Sequence, residues 1–443
     1  MTTPQTTTPG TDGPGIELVD PGAYERDGIP HGQLAWLREH DPVHWHHGDP
    51  ERDYPPFWAV TRHEDVVHVS RHPEVFSSWQ RLALFDEPPE EHLVLQRMMM
   101  LNQDPPEHTR KRGIVNRGFT PRAIGALAEH IRDICRKLVA ETVDGAHLGG
   151  GPKTSGGRSP EPLASPRSPV TFDFVRELAA PLPLYVICEL LGAPPEDREK
   201  IFTWSNTLIG GDDPEFQRTP EEGQQAAAEL YAYANVLAAD RRENPREDIV
   251  TRLLQPDADG EVLSGDEFEL FVMLLSVAGN ETTRNAATGG MLALLEHPEQ
   301  WERLRADRSL VPTAVDEIVR WVTPVNLFRR TAVRDVELRG KRIREGDKVV
   351  VFYSSANRDE AVFADPRTFD VGRDPNPHLG FGGGGPHFCL GSHLARLELS
   401  VLFETLLDAV PNIELGGNVR RLRSSFINGI KEMPVRVRPA SLD

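Results

Sequence analysis

Apolar residues recur every three or four positions along most of this chain, a spacing that predicts amphipathic and buried helices. Helices are predicted at 31–40, 62–76, 105–144 with a break at 120–121, 172–191, 198–208, 220–243, 248–254, 264–296, 298–306, 312–321 and 394–410. Short alternating stretches predict strands at 57–61, 336–339 and 348–353 and near Ile413 and Val435, with 57–61 at a sheet edge because prolines precede it. The fold class is therefore mainly α with small β-sheets.

The segment 264–296 is the longest with helical spacing. Ser264 and Glu267 form a capping-box pattern at its start, and His297-Pro298 predicts its end. A helix of about 30 residues is roughly 45 Å long. Because its first half is strongly apolar, we expect this helix to cross the whole body of the protein.

A polar interruption, Ala278-Gly-Asn-Glu-Thr-Thr283, lies in the middle of that helix. A glycine inside a helix costs up to ~1 kcal/mol relative to alanine, and a buried glutamate is costly unless it is hydrogen-bonded. A solvated polar turn would explain the interruption, but the apolar stretch before it favours burial. Local rules broken inside a strong helix indicate a functional site, and a kink here would admit a water or a ligand.

Composition excludes several classes of function. The chain has 443 residues, with 49 Lys and Arg against 68 Asp and Glu and a formal net charge of −19, so nucleic acid is not an expected partner. It contains no run of 18 apolar residues, so no membrane anchor is predicted. Residues 1–15 are predicted to be a disordered arm, and 145–169 a disordered surface insertion within one domain spanning 16–440.

Three cysteines are too few for a disulfide framework, which favours a reducing, cytoplasmic location. Cys135 and Cys188 lie in apolar helical patterns and are predicted to be buried. Cys389 instead follows four consecutive glycines and precedes a helix, where the helix dipole favours a thiolate. The loop is compatible with a nucleophilic cysteine served by His387, with an axial thiolate ligand of haem iron, or with a structural turn.

The loop Phe381-Gly-Gly-Gly-Gly-Pro-His-Phe-Cys-Leu-Gly391 resembles the cysteine-ligand loop of cytochrome P450 enzymes, and the resemblance extends from about Ile29 to Val437. It implies the cytochrome P450 fold with one haem domain and haem b as the cofactor. It also implies that Cys389 is the proximal iron ligand and that His387 hydrogen-bonds a haem propionate. The chain departs from the family pattern by one extra glycine between Phe381 and Cys389.

The resemblance assigns the other site residues. It makes Glu281 and Thr282 an acid–alcohol pair for proton delivery, which a haem sensor without turnover would not need. Two further groups follow from the family pattern: propionate ligands His108, Arg112 and Arg330, with Arg329 as the adjacent alternative, and a structural network of Glu317, Arg320 and Arg373.

The implied function is a monooxygenase that hydroxylates a lipophilic small molecule with O2 and two electrons from a ferredoxin and its reductase. Sterols, terpenoids, branched lipids and secondary-metabolite intermediates fit the apolar residues at the family's pocket positions. Two alternatives remain at this point: a tailoring oxidase of a carrier-bound amino acid or antibiotic scaffold, and a non-catalytic haem sensor. A basic patch is predicted to receive the ferredoxin, formed by Arg110, Lys111, Arg117 and Arg396.

Overall fold

The computed structural model describes residues 15–48, 54–85, 90–147, 170–256, 260–410 and 412–438. The predicted N-terminal arm, apart from Gly15, lies outside these residues. The first three residues of the predicted insertion end a helix that continues to His147, and 148–169 lie outside the described residues.

Helices form most of the described structure, as the periodicity predicts. They are α1 Pro21–Asp27, α2 His31–His40, α3 His63–Arg71, α4 Glu90–Gln96, α5 Glu107–Asn116, α6 Pro121–Gly125, α7 Ala128–His147, α8 Pro181–Leu191, α9 Arg198–Ile209, α10 Pro220–Glu243, α11 Ile249–Leu253, α12 Gly265–Glu296, α13 Pro298–Ala306, α14 Val311–Val322, α15 Tyr353–Ala356 and α16 Ser392–Ala409. No helix of the described residues has the length and apolar character that crossing a bilayer requires.

Strands of the described residues form four small sheets. They are β1 Val43–His46, β2 Phe57–Val60, β3 Phe76–Ser77, β4 Val170–Asp173, β5 Leu327–Ala332, β6 Val336–Leu338, β7 Lys341–Ile343, β8 Lys348–Phe352, β9 Asn412–Leu415, β10 Arg420–Arg421, β11 Ile430–Glu432 and β12 Pro434–Arg438. The largest sheet has the order β1-β2-β8-β5-β3, and the other three are β4-β12-β9, β10-β11 and β6-β7.

Three predictions about these elements are wrong. The helix predicted over 62–76 ends at Arg71, and Phe76 belongs to strand β3. β2 is an inner strand, antiparallel to β1 and parallel to β8, because the prolines precede the strand and leave its own N–H groups free to pair. Phe172 and Asp173, predicted to begin a helix, belong to strand β4, which spans Val170–Asp173. Val170 and Phe172 are buried while Thr171 is exposed, so this segment alternates with period two before the helical spacing begins.

The long helix α12 runs through the core and packs against α8, α9, α10, α14 and α16. The predicted capping box is present: Ser264 Oγ accepts from Glu267 N–H, and the Glu267 carboxylate accepts from Ser264 N–H. The helix is continuous through Gly279. A Cβ atom there would lie 2.6 Å from Ile187 Cδ1 of α8, so close helix packing accounts for the glycine.

Candidate functional site

The loop before Cys389 lies across the end of α3. Cys389 N–H donates to the Phe381 carbonyl at 2.9 Å, which closes the loop. Gly385 has a φ of +73°, and a Cβ atom at this position would lie 2.4 Å from the Ser70 carbonyl oxygen. Any other residue at 385 would therefore clash with α3, and the run of glycines allows the loop to pass this close.

Cys389 is the accessible cysteine of the three. Burial raises the pKa of its thiol, whereas the Gly391 N–H and the guanidinium groups of Arg112 and Arg396 lower it. Arg112 Nη2 also donates to the Phe388 carbonyl at 2.7 Å, directly before the cysteine. These donors and cations favour a thiolate once a metal ion replaces the proton.

The other two cysteines are core residues, as predicted. Burial raises the pKa of Cys135 to about 11 and that of Cys188 to about 12, so neither is a thiolate at neutral pH. Among the described residues, no three His, Cys, Asp or Glu side chains cluster in a way that could hold a metal ion.

Four basic side chains converge near the cysteine: His108 and Arg112 from α5, Arg330 from β5 and His387 from the loop. The rings of His108 and His387 lie 4.4 Å apart between centroids. Burial, Arg112 and Arg330 lower the pKa of His108 to about 4, and burial, Arg330 and His108 lower the pKa of His387 well below its usual value. Arg329, the next residue along, lies on the opposite face of β5.

This cationic cluster is suited to an anionic ligand. His108 Nδ1 and His387 Nε2 are buried and have no hydrogen-bond partner among the described residues. Two arginines and two histidines with buried, unpartnered ring nitrogens fit a ligand that carries carboxylates, because each carboxylate would accept hydrogen bonds from these groups and offset the repulsion between the two guanidinium groups. The two propionates of haem have this chemistry. The residues present therefore fit the cofactor that the sequence predicts.

One face of α12 is accessible although the helix lies in the core. Leu274, Val277, Ala278 and Thr282, spaced at i, i+3, i+4 and i+8, have solvent-accessible surface, whereas Asn280, Glu281 and Thr283 are buried. Thr282 Oγ1 donates to the Ala278 carbonyl at 2.7 Å. This face therefore presents a hydroxyl within an apolar surface.

Glu281 points away from that face and is fully buried. Burial raises the pKa of its carboxyl, while an ion pair with Arg284 lowers it. Arg284 Nη1 in turn donates to Asn206 Oδ1 of α9 at 3.1 Å. The sequence analysis missed Arg284 and Asn206. The i, i+3 spacing of Glu281 and Arg284 is the signal that could have identified the arginine, since Glu317 and Arg320 have the same spacing.

Glu317, Arg320 and Arg373 lie together in the core, and Glu317 and Arg320 are fully buried. Arg320 Nε and Nη2 each donate to the Glu317 carboxylate at 2.7 Å, and Arg373 Nε donates to it at 3.0 Å. Arg320 also donates to the carbonyls of Asn357, Pro366 and Thr368 at 2.9–3.1 Å. All three carbonyls belong to the coil that leads to Cys389.

Carboxylates pair with three of the four residues of the predicted basic patch, including Arg396, whose Nε lies 2.8 Å from Asp316 Oδ1. Lys111 is buried, donates to the Met98 carbonyl at 2.7 Å and lies 3.2 Å from the Glu267 carboxylate. Arg110 pairs with Glu107, Glu261 and Glu267. Glu267 lies in the first turn of α12, where the helix dipole favours a carboxylate. Arg110 and Lys111 both pair with this carboxylate.

Comparison with known proteins identifies relatives along nearly the whole chain. Residues 216–409 match the family model described as Cytochrome P450. A steroid C26-monooxygenase of Rhodococcus jostii is 45% identical over 96% of this chain and 86% of its own. A methyl-branched lipid omega-hydroxylase of Mycobacterium tuberculosis is 43% identical over 95% and 94%. A Mycobacterium marinum cytochrome P450 solved with pseudoionone superposes with a TM-score of 0.83 and 36% identity, covering 97% of this chain and 100% of its own.

Proposed function

This chain belongs to the cytochrome P450 family, and from this premise we propose that it hydroxylates a long apolar lipid at the end of its carbon chain. The family, the mainly α fold class, the haem cofactor and the monooxygenase activity predicted from the sequence are confirmed. The confirmed activity leaves the haem sensor without support. The roles of individual residues and the substrate are the proposal.

We assign the haem between the accessible face of α12 and the cysteine loop. Cys389 would ligate the iron, and the cationic cluster of His108, Arg112, Arg330 and His387 would bind the propionates. A haem iron with a thiolate ligand activates O2 and favours cleavage of the O–O bond. The unpartnered buried nitrogens of His108 and His387 are the observation that supports this placement.

Arg330 offers a test of the propionate site. Arg330→Gln should speed haem release by about tenfold or more, since a hydrogen bond to a charged group contributes about 1.5–3 kcal/mol. The rate is measured by haem transfer to excess apomyoglobin. Arg329→Gln is the matched control on the same strand, and an equal or larger effect of that variant would transfer the role to Arg329.

Proton delivery belongs to Glu281 and Thr282. The Thr282 hydroxyl, bound to the Ala278 carbonyl, is placed to hold a water on the accessible face of α12. Glu281 lies behind it, out of reach of bulk water, and burial raises the pKa of its carboxyl while the Arg284 guanidinium lowers it. A positioned carboxyl of this kind can serve as a general acid or base.

The substrate follows an apolar path along α12. From Thr282 to Leu270 the helix rises about 18 Å. At the far end, Leu270 and Met273 pack with partly exposed apolar side chains of neighbouring elements, which are Met98, Met99, Trp204, Leu208 and Tyr231. A path of this length suits a molecule such as a sterol or a branched long-chain lipid that lies lengthwise with one end at Thr282. The two relatives named above act at C26 of a steroid and at the omega position of a lipid.

Substrate binding by Soret shift, followed by mass spectrometry of products, tests this proposal. The assay contains ferredoxin, ferredoxin reductase and NADH. We expect terminal hydroxylation of steroids with an intact side chain or of methyl-branched fatty acids. Exclusive turnover of carrier-bound amino acids or terpenoids would contradict the proposal.

Leu208→Trp should exclude long lipids and spare short ones, whereas Ala278→Phe, next to Thr282, should exclude both.

The electron donor is proposed to be a ferredoxin that docks on the face around Cys389. Arg117 and Phe388 are exposed there, Phe388 by 40%, and Arg112 lies beside the thiol, whereas Arg396 is paired with Asp316. Basic groups on an otherwise acidic protein would attract an acidic partner. We place this enzyme in the cytoplasm, where such a partner and free cysteines persist. Equal turnover with the reductase alone would remove the ferredoxin from the proposal.

A further inference from the structure

A second group of basic side chains lies where α2 meets α15, the coil that follows α15, and strand β10. Arg38 of α2 donates from Nη1 to Ser355 Oγ of α15 at 3.0 Å, and Arg358 follows three residues later. Arg421 of β10 lies beside Gly28, since a Cβ atom on that glycine would be 3.4 Å from the Arg421 guanidinium carbon. Side chains from a helix, a coil and a strand therefore approach the start of α2.

His31, the first residue of α2, lies within this group. Its Nδ1 is buried and has no hydrogen-bond partner among the described residues. Burial and four guanidinium groups lower the pKa of its ring well below the usual value, and these belong to Arg358, Arg38, Arg421 and Arg367. A buried, unpartnered ring nitrogen among arginines is also the signature of the cationic cluster near Cys389.

Positive charge exceeds negative charge in this second group. Glu360 binds Arg38, whose Nε and Nη2 donate to it at 3.1 and 3.0 Å, and Arg367 lies 3.9 Å from the same carboxylate. Neither Arg358 nor Arg421 forms an ion pair with a carboxylate of the described residues. A local excess of positive charge on a chain with a formal net charge of −19 indicates a site for an anion.

Arg358 is held rigidly at this place. Its Nη2 donates to the Trp321 carbonyl at 3.2 Å, and its guanidinium lies over the Trp321 ring, 4.2 Å from the centroid. Burial and the neighbouring Arg320 lower the pKa of Arg358 to about 9, while the Glu317 carboxylate raises it. Glu317 is already bound by Arg320 and Arg373. Arg358 therefore stays charged at neutral pH without a carboxylate of its own.

We propose that the start of α2 is a binding site for a small multivalent oxyanion of the phosphate class, held by Arg358, Arg421 and His31. Guanidinium groups bind phosphate oxygens in pairs, and His31 Nδ1 would donate a further hydrogen bond. No side chain of the described residues caps the first turn of α2, so its N–H groups and the helix dipole also favour an anion. The bound ion joins α2, the coil and β10.

Burial decides between a free ion and a phosphate at a lipid surface. Arg358 is buried, as is His31 Nδ1, and three elements surround them. A free ion can enter between these elements, whereas a phosphate anchored in a bilayer stays at the protein surface. The ligand is therefore a soluble phosphate compound.

Calorimetric titration of the haem-loaded enzyme with pyrophosphate tests the site, because the haem propionates occupy the cationic cluster near Cys389. Arg421→Gln removes a cation without an ion pair, and His31→Phe removes the ring nitrogen. Arg420→Gln is the matched control on β10, since Arg420 pairs with Glu215 and Glu432. The unfolding temperature is followed with pyrophosphate and with sodium chloride of equal ionic strength. Vesicles containing phosphatidic acid are titrated separately.

We expect saturable binding of pyrophosphate and a rise in unfolding temperature that sodium chloride does not reproduce, because the ligand binds the folded state. Arg421→Gln should weaken binding by about tenfold or more, as expected for a lost charge-assisted hydrogen bond. His31→Phe should also weaken it, and Arg420→Gln should leave it unchanged.

Three results would overturn the site: no saturable binding, equal losses in Arg421→Gln and Arg420→Gln, or binding to the vesicles without binding of pyrophosphate. The measurements need neither substrate nor turnover. A failure to find a hydroxylated lipid would therefore contradict the proposed function alone.

Discussion

Replacing Cys389 with His abolishes hydroxylation and leaves a haem protein without the thiolate spectrum. We expect reduced Cys389→His under carbon monoxide to show the Soret band of histidine-ligated haem, with lipid hydroxylation reduced to background. The reason is that a neutral imidazole does not push electron density toward the O–O bond as a thiolate does. Optical spectra and product analysis on the same preparation measure both effects.

The other two cysteines provide the controls for this prediction. Cys135→Ala and Cys188→Ala should keep the thiolate spectrum, because both side chains are buried in the apolar core. Each should lower stability only modestly, through the small cavity that is left. Retention of the thiolate spectrum in Cys389→His would contradict the assignment of Cys389.

Removal of Arg320 should have the largest effect on stability. Arg320→Ala leaves the Glu317 carboxylate buried without its main partner and frees three carbonyls of the coil that leads to Cys389. Breaking a buried ion pair in this way costs about 3–5 kcal/mol of unfolding free energy. Chemical denaturation measures the loss of unfolding free energy. We also expect part of the haem to lose the thiolate spectrum, because the coil that positions Cys389 becomes less ordered.

An exposed pair with the same spacing is the matched control. Arg305 Nη1 lies 2.9 Å from Glu302 Oε1 on α13, and the two side chains are 35% and 63% exposed. Arg305→Ala should change the unfolding free energy by less than about 1 kcal/mol. Similar losses in Arg305→Ala and Arg320→Ala would show that burial of the network has no special role.

Local patterns predicted several features because their physical causes lie within short stretches of sequence. The capping box at Ser264 and the ends of α2, α10 and α13 depend on residues a few positions apart. The loop before Cys389 is likewise recognisable from a short stretch of sequence, because its four glycines are consecutive. The contact of Arg320 with Glu317 is local too, since one turn of helix separates them.

Features that depend on distant partners were the ones that pattern analysis missed. β2 is internal because β8, about 290 residues later, pairs with it. Lys111 is buried because Glu267 lies opposite on α12. Asn206 of α9 accepts a hydrogen bond from Arg284 of α12, 78 residues later in the chain. Charged and amide side chains are most often exposed on protein surfaces, so the residues next to them in sequence do not reveal a buried partner on another element.

The helical fold class follows from the sequence alone, because helical periodicity depends on neighbouring residues. The iron-ligand role of Cys389 and the acid–alcohol role of Glu281 and Thr282 are predictions that rest on the resemblance of short motifs to a known family. The tertiary contacts, in contrast, decide which basic side chains converge on the anion-binding site and which are neutralised by carboxylates elsewhere. They also decide which side chains contact Glu281. These outcomes depend on the packing of α5, α9, α12 and β5 against one another, and that packing is set by the shape of the whole core.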